Sequence, residues 1–321
     1  MMRYPKRFTL EQWDSLANPL KKPKLITFDA YNTLYSTTLP VMVQYAKVGH
    51  RFGIKTSAEE LTSRFPKIFK NLRDTHPNYG KHTGLTPTQW WELLISSVFA
   101  PVDVPKKMIS EILRLFEGRD AYTVYPDLLE LLKILRERYP ETVLAVVSNT
   151  DPIMYKLIKN LGLKSYFDSH VYLSYDLEVS KPDRRFFDAV LQDVVGRYPA
   201  LASEHGMEEL KSFCWHIGDE EANDLRAAQA AGWNAVLLDR TNKYGHFSET
   251  GTAKDRQLHQ LFADKIDNDA YKSWEASLQQ PDILQLSQRE FVVANYATFG
   301  ELLFKKEGTA SKLKESIKRE T

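Results

Sequence analysis

At 321 residues the chain is long for one domain and short for three, so one large core carrying a sizeable insertion is the simplest expectation. Its 43 lysines and arginines against 42 aspartates and glutamates leave no basic excess of the kind that a nucleic-acid-binding surface requires. Apolar runs such as residues 142–147 fall far short of the ~18 residues of a membrane span, and the single cysteine, Cys214, excludes an intramolecular disulfide and suits a reducing compartment.

The first residues carry Arg3, Lys6 and Arg7 with no acid before Glu11, a faint likeness to a mitochondrial transit peptide that Glu11 and Asp14 interrupt. A cytoplasmic location is therefore the expectation and a mitochondrial one the alternative, with residues 1–22 a terminal extension. Leu25 to Phe28 form a short β-type run that ends at Asp29. From Pro40 to about Tyr122 the segments 41–52, 60–72 and 88–99 have helical spacing with no strand between them, which predicts an all-helical insertion over residues 38–122. After Pro126 helices and strands alternate. Helical spacing over 127–138, 152–161, 182–195 and 223–232 is interleaved with strand patterns at 142–148, near 170–174, at 215–218 and at 235–239. Cys214, beside Trp215, reads as a small buried residue. The polar stretch from Arg240 to about Gln288 lacks a sheet pattern and is read as a peripheral insertion before a last strand at 289–295; residues 305–321 read as a frayed end.

Strands separated by helices of this length make a parallel sheet covered on both faces. The fold class is therefore α/β, a Rossmann-like doubly wound core built from residues 23–37 and 123–304 with the helical segment inserted. Catalytic groups in such a sheet lie beyond the carboxyl ends of the strands.

Four features fall there in order: Asp29, then Ser148 with Asn149, then Lys181, then the segment Gly218 to Asp224. Together they resemble the haloacid dehalogenase-like hydrolase superfamily. Residues 75–99, with Pro77-Asn78-Tyr79-Gly80 and Gly84-Leu85 followed by Gln89-Trp90-Trp91, are similar to the cap of haloacid dehalogenase-like hydrolase domain-containing protein 3 and its relatives. The resemblance implies a phosphohydrolase site for a small phosphorylated metabolite. A carboxylate attacks phosphorus only when its own charge and the substrate's are offset, so a divalent ion and a nearby cation are required. Asp29 would be the nucleophile. Asp29, Asp219 and the backbone carbonyl of Tyr31 would hold Mg²⁺, with Asp224 as a fourth metal residue that holds one of its waters or stands just behind the ligands. Lys181 would neutralise the phosphoryl oxygens, and Ser148 with the following amide would donate hydrogen bonds to them. Asn149 and Trp90 are the candidates to touch substrate. Trp90 and Trp91 cannot share one helix face, so one of the two packs inside the cap.

Position 31 departs from the phosphatase pattern. Family phosphatases carry a carboxylate two residues past the nucleophile, which protonates the leaving oxygen and then activates water; losing such a group costs ~10²–10⁴-fold. Tyr31, with a reference pKa of ~10, can donate a proton but is a poor base at neutral pH. The related cap family also lacks this second aspartate. One alternative is a non-catalytic protein that keeps the Mg²⁺ and phosphate cradle for a ligand or partner. A minor one is an L-2-haloacid dehalogenase, whose first motif has a tyrosine at this spacing and whose halide leaves without a proton. Those enzymes, however, need no metal, have an asparagine in the region of Asp219 and a tyrosine where this chain has Phe187, and use an arginine that finds no counterpart here.

Overall fold

The computed structural model describes residues 5–16, 20–167, 169–248, 257, 260 and 266–304. The tail at 305–321 and parts of the other two predicted extra segments lie outside the described residues. The core strands are β1 (Lys6–Phe8), β2 (Leu25–Phe28), β5 (Val143–Ser148), β6 (Val171–Leu173), β7 (Cys214–Gly218), β8 (Asn234–Leu238), β9 (Ile283–Gln285) and β10 (Glu290–Val293). A separate antiparallel pair, β3 (Tyr35–Thr37) and β4 (Tyr122–Val124), joins the helical insertion to the core.

The eight core strands form one sheet in the order β1-β9-β10-β8-β7-β2-β5-β6. From β10 to β6 every pairing is parallel, as the alternation of helices and strands requires. Their residues alternate between two apolar layers: Ile26, Leu144, Trp215 and Val236 face one side, Leu25, Ala145, Cys214 and Ala235 the other. Burial on both faces is why these strands read as unbroken apolar runs. Helices Pro126–Arg138, Ile153–Asn160 and Tyr296–Leu303 cover the first face, and Arg185–Arg197 with the successive turns Glu221–Arg226 and Ala227–Ala230 the second. Cys214 is buried there, as its setting beside Trp215 predicted.

Two expectations need correction. The N-terminal extension is not outside the fold: β1 pairs antiparallel with β9, and Trp13 is buried in the first apolar layer. Nor is the 240–288 stretch free of sheet, because β9 lies within it and pairs with β10. Both strands are three residues long, too short for periodicity to register.

Between β3 and β4 lie helices Val41–Arg51, Ala58–Thr75, Pro87–Phe99 and Lys106–Leu115. They share a third apolar cluster of their own, with Leu61, Trp90, Leu94, Phe99 and Met108 among its buried members. Two of them start at reciprocal capping boxes, Ser57 with Glu60 and Thr86 with Gln89, each of which satisfies orphan amides of the first turn. This is the inserted all-helical cap. Among the described residues no helix is long and apolar enough to cross a membrane.

Candidate active site

Asp29 follows β2, which lies between β5 and β7 where the strand order reverses, the usual position of a site in an open α/β sheet. Its amide donates to the Ile217 carbonyl at 2.9 Å and so continues the β2–β7 ladder by one residue. Lys181, whose side chain is 2% exposed, reaches in from the loop after the short helix Ser174–Leu177 that follows β6. Its ammonium donates to Asp29 Oδ1 at 2.6 Å, to Asp224 Oδ1 at 2.6 Å and to the Val147 carbonyl at 3.0 Å. All three protons are engaged.

Asp224 sits on the wide, π-type turn Glu221–Arg226. Its Oδ2 accepts the Glu220 amide at 2.9 Å, and its Oδ1 lies 3.0 Å from His216 Nε2. His216 and Thr27 are direct neighbours across β7 and β2, with Nδ1 and Oγ1 2.8 Å apart. Burial lowers the imidazole's pKa. A neutral ring that donates from Nε2 to Asp224 and accepts the Thr27 hydroxyl proton satisfies both contacts. Gly218 makes room for this arrangement, since a Cβ there would lie 2.2 Å from the Asp224 carboxyl carbon.

Asp219 has no hydrogen bond or ion pair among the described residues. Asp29, Asp219 and Asp224 offer oxygens that all lie within 4.8 Å of one another. Burial, with the adjacent Asp29 and Asp224 charges, raises the Asp219 carboxyl well above the usual range. Burial likewise pushes Asp29 up to about 7, with Lys181 acting against the rise and Asp224 adding to it. In Asp224 burial is outweighed by Lys181 and His216, and the carboxyl is held below its ordinary value. Hard oxygens with one cation among three acids fit a divalent ion. Asp224 Oδ1 already accepts from Lys181 and lies on His216, while its Oδ2 accepts one amide and keeps a lone pair, so Asp29 and Asp219 are the more open of the three.

The Tyr31 ring packs edge-on against Tyr35 and Tyr122, and its hydroxyl donates to Asn268 Oδ1 at 2.6 Å. Burial pushes the phenol up to about 12. The Ser36 and Thr37 hydroxyls lie 2.9 and 2.7 Å from the Asp267 and Asn268 carbonyl oxygens. Residues 267 and 268 are thus a wall of the site, and the reading of 240–288 as peripheral is corrected here too. Thr241 and Lys243 from the same stretch line a cavity together with Asn32 and Asp219.

Ser148, at the end of β5, is buried, and its hydroxyl has no partner among the described residues. Two side-chain expectations change: Trp90 does not reach substrate, and the Asn149 carboxamide is engaged elsewhere, which leaves that residue's backbone amide for the phosphoryl group. Asn149 is tied to the backbone of Lys181: its Nδ2 donates to that carbonyl at 2.8 Å and its Oδ1 accepts that amide at 2.9 Å. Trp90 is 1% exposed in the cap interior and donates to the His76 carbonyl at 3.0 Å. Trp91 is the tryptophan that leaves the cap, donating to Asp151 Oδ2 at 2.6 Å. Sequence reasoning also missed Thr27, His216, Asp151 and Asn268. The first two carried a signal, as polar residues inside apolar strands; the others carried none.

A family model described as haloacid dehalogenase-like hydrolase matches residues 23–232. An uncharacterized protein of Saccharomyces cerevisiae is 50% identical over 301 residues, covering 94% of this chain and 99% of that protein. Haloacid dehalogenase-like hydrolase domain-containing protein 3 of Bos taurus is 29% identical over 220 residues, 67% of this chain and 81% of its own. Among solved structures, an L-2-haloacid dehalogenase from Xanthobacter autotrophicus aligns with a TM-score of 0.54 at 16% identity, covering 88% of this chain and 98% of that one, a likeness of fold alone.

Proposed function

The chain belongs to the haloacid dehalogenase-like hydrolases, and on that premise we propose that its site is a Mg²⁺-dependent phosphohydrolase centre for a small phosphorylated metabolite, with slow turnover. The observation that carries this reading is the buried Lys181 ammonium shared between Asp29 and Asp224, beside an unpartnered Asp219. Asp29 attacks phosphorus as the bond to the leaving oxygen breaks, and an aspartyl-phosphate forms. Lys181 offsets the charge, while the free Ser148 hydroxyl and the following amide donate to the phosphoryl oxygens. Mg²⁺, held by Asp29, Asp219 and the Tyr31 carbonyl, would add the positive charge that this acidic cluster lacks. Asp224, anchored to Lys181 and His216, would hold one of the ion's waters.

The slow step follows from Tyr31. Its proton is committed to Asn268, and a phenol raised to about 12 takes no proton from water at neutral pH. Breakdown of the aspartyl-phosphate therefore limits turnover. The same contact favours a second reading, a cradle that binds a phosphorylated ligand without turning it over. Dehalogenation gains nothing from a fold likeness at 16% identity.

Two experiments separate these readings. Calorimetry should show Mg²⁺ binding that weakens at least ~10-fold in Asp219→Ala, since even groups that only orient ligands are worth that much. Equal binding by both proteins would refute the ligand assignment. In a screen of phosphate esters with and without Mg²⁺, Tyr31→Asp should raise steady-state turnover by up to ~10². The burst rate should gain more for a poor leaving group than for an aryl phosphate, whereas the steady-state gain, set by breakdown of the common aspartyl-phosphate, should be similar for both. A folded, Mg²⁺-binding Tyr31→Asp protein with no gain on any ester would establish the cradle.

A further inference from the structure

The cap stretch around Tyr79 and Trp91 is the most family-specific part of the sequence, and the chemistry above does not use it. Its loop is sharply folded. Asn78, Tyr79 and Gly80 have φ of 48°, 54° and 82°, and a Cβ on Gly80 would lie 2.6 Å from Leu85 Cβ. Non-glycine residues enter that region at a cost, which is tolerated where the surroundings over-determine it and is concentrated at functional sites.

The fold of this loop directs donors out of the cap and into the core. The Tyr79 hydroxyl donates to the Asn149 carbonyl at 3.2 Å, and Trp91 Nε1 to Asp151 Oδ2 at 2.6 Å. Trp90 braces both rings from inside the cap, edge-on at 5.3 Å from Tyr79 and 5.1 Å from Trp91. Lys81 adds a hydrogen bond to the Tyr175 carbonyl at 2.8 Å. The acceptors at 149 and 151 belong to the loop that immediately follows Ser148. Asp151 has no cation among the described residues; its other oxygen accepts the Ile153 amide at 2.7 Å. From this loop the Asn149 carboxamide exchanges two hydrogen bonds with the Lys181 backbone, and the Lys181 ammonium lies on Asp29. Hydrogen bonds joined by short covalent segments of residues 149–151 and 181 thus run from cap to nucleophile.

We propose that Tyr79 and Trp91 are positioning residues: docking of this cap motif holds the Ser148–Asp151 loop and, through Asn149, sets Lys181 against Asp29. A cap that merely rested on the core would need apolar contact across the seam, and Trp91 and Tyr79 would then be replaceable by any ring. The activity readout rests on the phosphohydrolase reading; the structural one does not.

The test compares the full-length protein with Trp91→Phe, Tyr79→Phe, Asn149→Ala and their combinations. The two ring-preserving variants remove one donor each and keep the packing. Hydrogen–deuterium exchange should show the Lys181 amide, which Asn149 Oδ1 accepts, exchanging about tenfold faster in Trp91→Phe with Tyr79→Phe, the change expected for the loss of a hydrogen bond to a charged acceptor. On the Asn149→Ala background the same substitutions should produce no further increase at Lys181, the non-additivity of residues acting in series. Orthovanadate with Mg²⁺ should bind about tenfold more weakly to the double variant, and kcat should fall with KM nearly unchanged. Unchanged exchange at Lys181 in the double variant, or effects fully additive with Asn149→Ala, would overturn the proposal. If the parent protein binds no vanadate and turns over no ester, the phosphohydrolase reading falls, and the exchange result still decides the positioning role.

Discussion

Lys181→Met should lower stability by ~3–5 kcal/mol and leave no measurable phosphoryl transfer, because breaking a buried ion pair strands an uncompensated charge. Here it strands two. The Lys181 ammonium is the cation of both Asp29 and Asp224, each at 2.6 Å, and it also satisfies the Val147 carbonyl. Methionine fills nearly the same volume, so the loss reports charge rather than a cavity. Urea denaturation in metal-free buffer measures it directly. The midpoint should drop with the slope unchanged, which is the signature of altered stability without altered compactness. A midpoint within ~0.5 kcal/mol of the parent, the usual range for a neutral surface change, would mean that Lys181 is not the counter-charge.

Asp29→Asn should remove phosphoryl transfer by a factor on the order of 10⁴ or more, as nucleophile deletions do in enzymes whose reacting groups act as a unit. An amide cannot form the acyl-phosphate. The variant should nonetheless fold at least as well as the parent. Its carbonyl oxygen still accepts from Lys181, and the burial penalty on a charge that neighbouring Asp224 also opposes disappears. This opposite movement of activity and stability distinguishes a nucleophile from a structural acid. Quench-flow detection of phosphoenzyme in the parent and its absence in Asp29→Asn would complete the measurement. Full activity in Asp29→Asn would assign catalysis to another group.

The two variants also separate the two halves of the network. Thr27, His216, Asp224 and Lys181 form a buried polar ladder that holds the ammonium in place, whereas Asp29, at its end, and the neighbouring Asp219 are the chemically open groups. Buried networks of this kind are costly when only partly satisfied. That is why the Lys181 change is expected to register in both stability and rate, and the Asp29 change as a loss of rate alone.

Much of the core was legible in the chain because a strand buried on both faces must be an apolar run. Such a run stops where polar chemistry begins, so Asp29, Ser148 and Gly218 to Asp224 stand out at the ends of β2, β5 and β7. The helical insertion was legible for a similar reason, since a 3.6-residue period needs only local sequence. Trp90 and Trp91 mark where that logic stops. Adjacent residues on a helix point ~100° apart, and only the other cap helices decide which of the two is enclosed; Phe69 of helix Ala58–Thr75 packs edge-on against Trp90 at 5.7 Å. Asn149 carries a carboxamide suited equally to a ligand or to backbone, and the arrival of the Lys181 loop beside it decided for backbone. Asp151 meets Trp91 across 60 positions and Tyr31 meets Asn268 across 237. Periodicity and spacing encode what a residue does to its own helix or strand. Which distant polar groups face each other at the end of the sheet depends on how the loops close over it, and that only the tertiary structure determines.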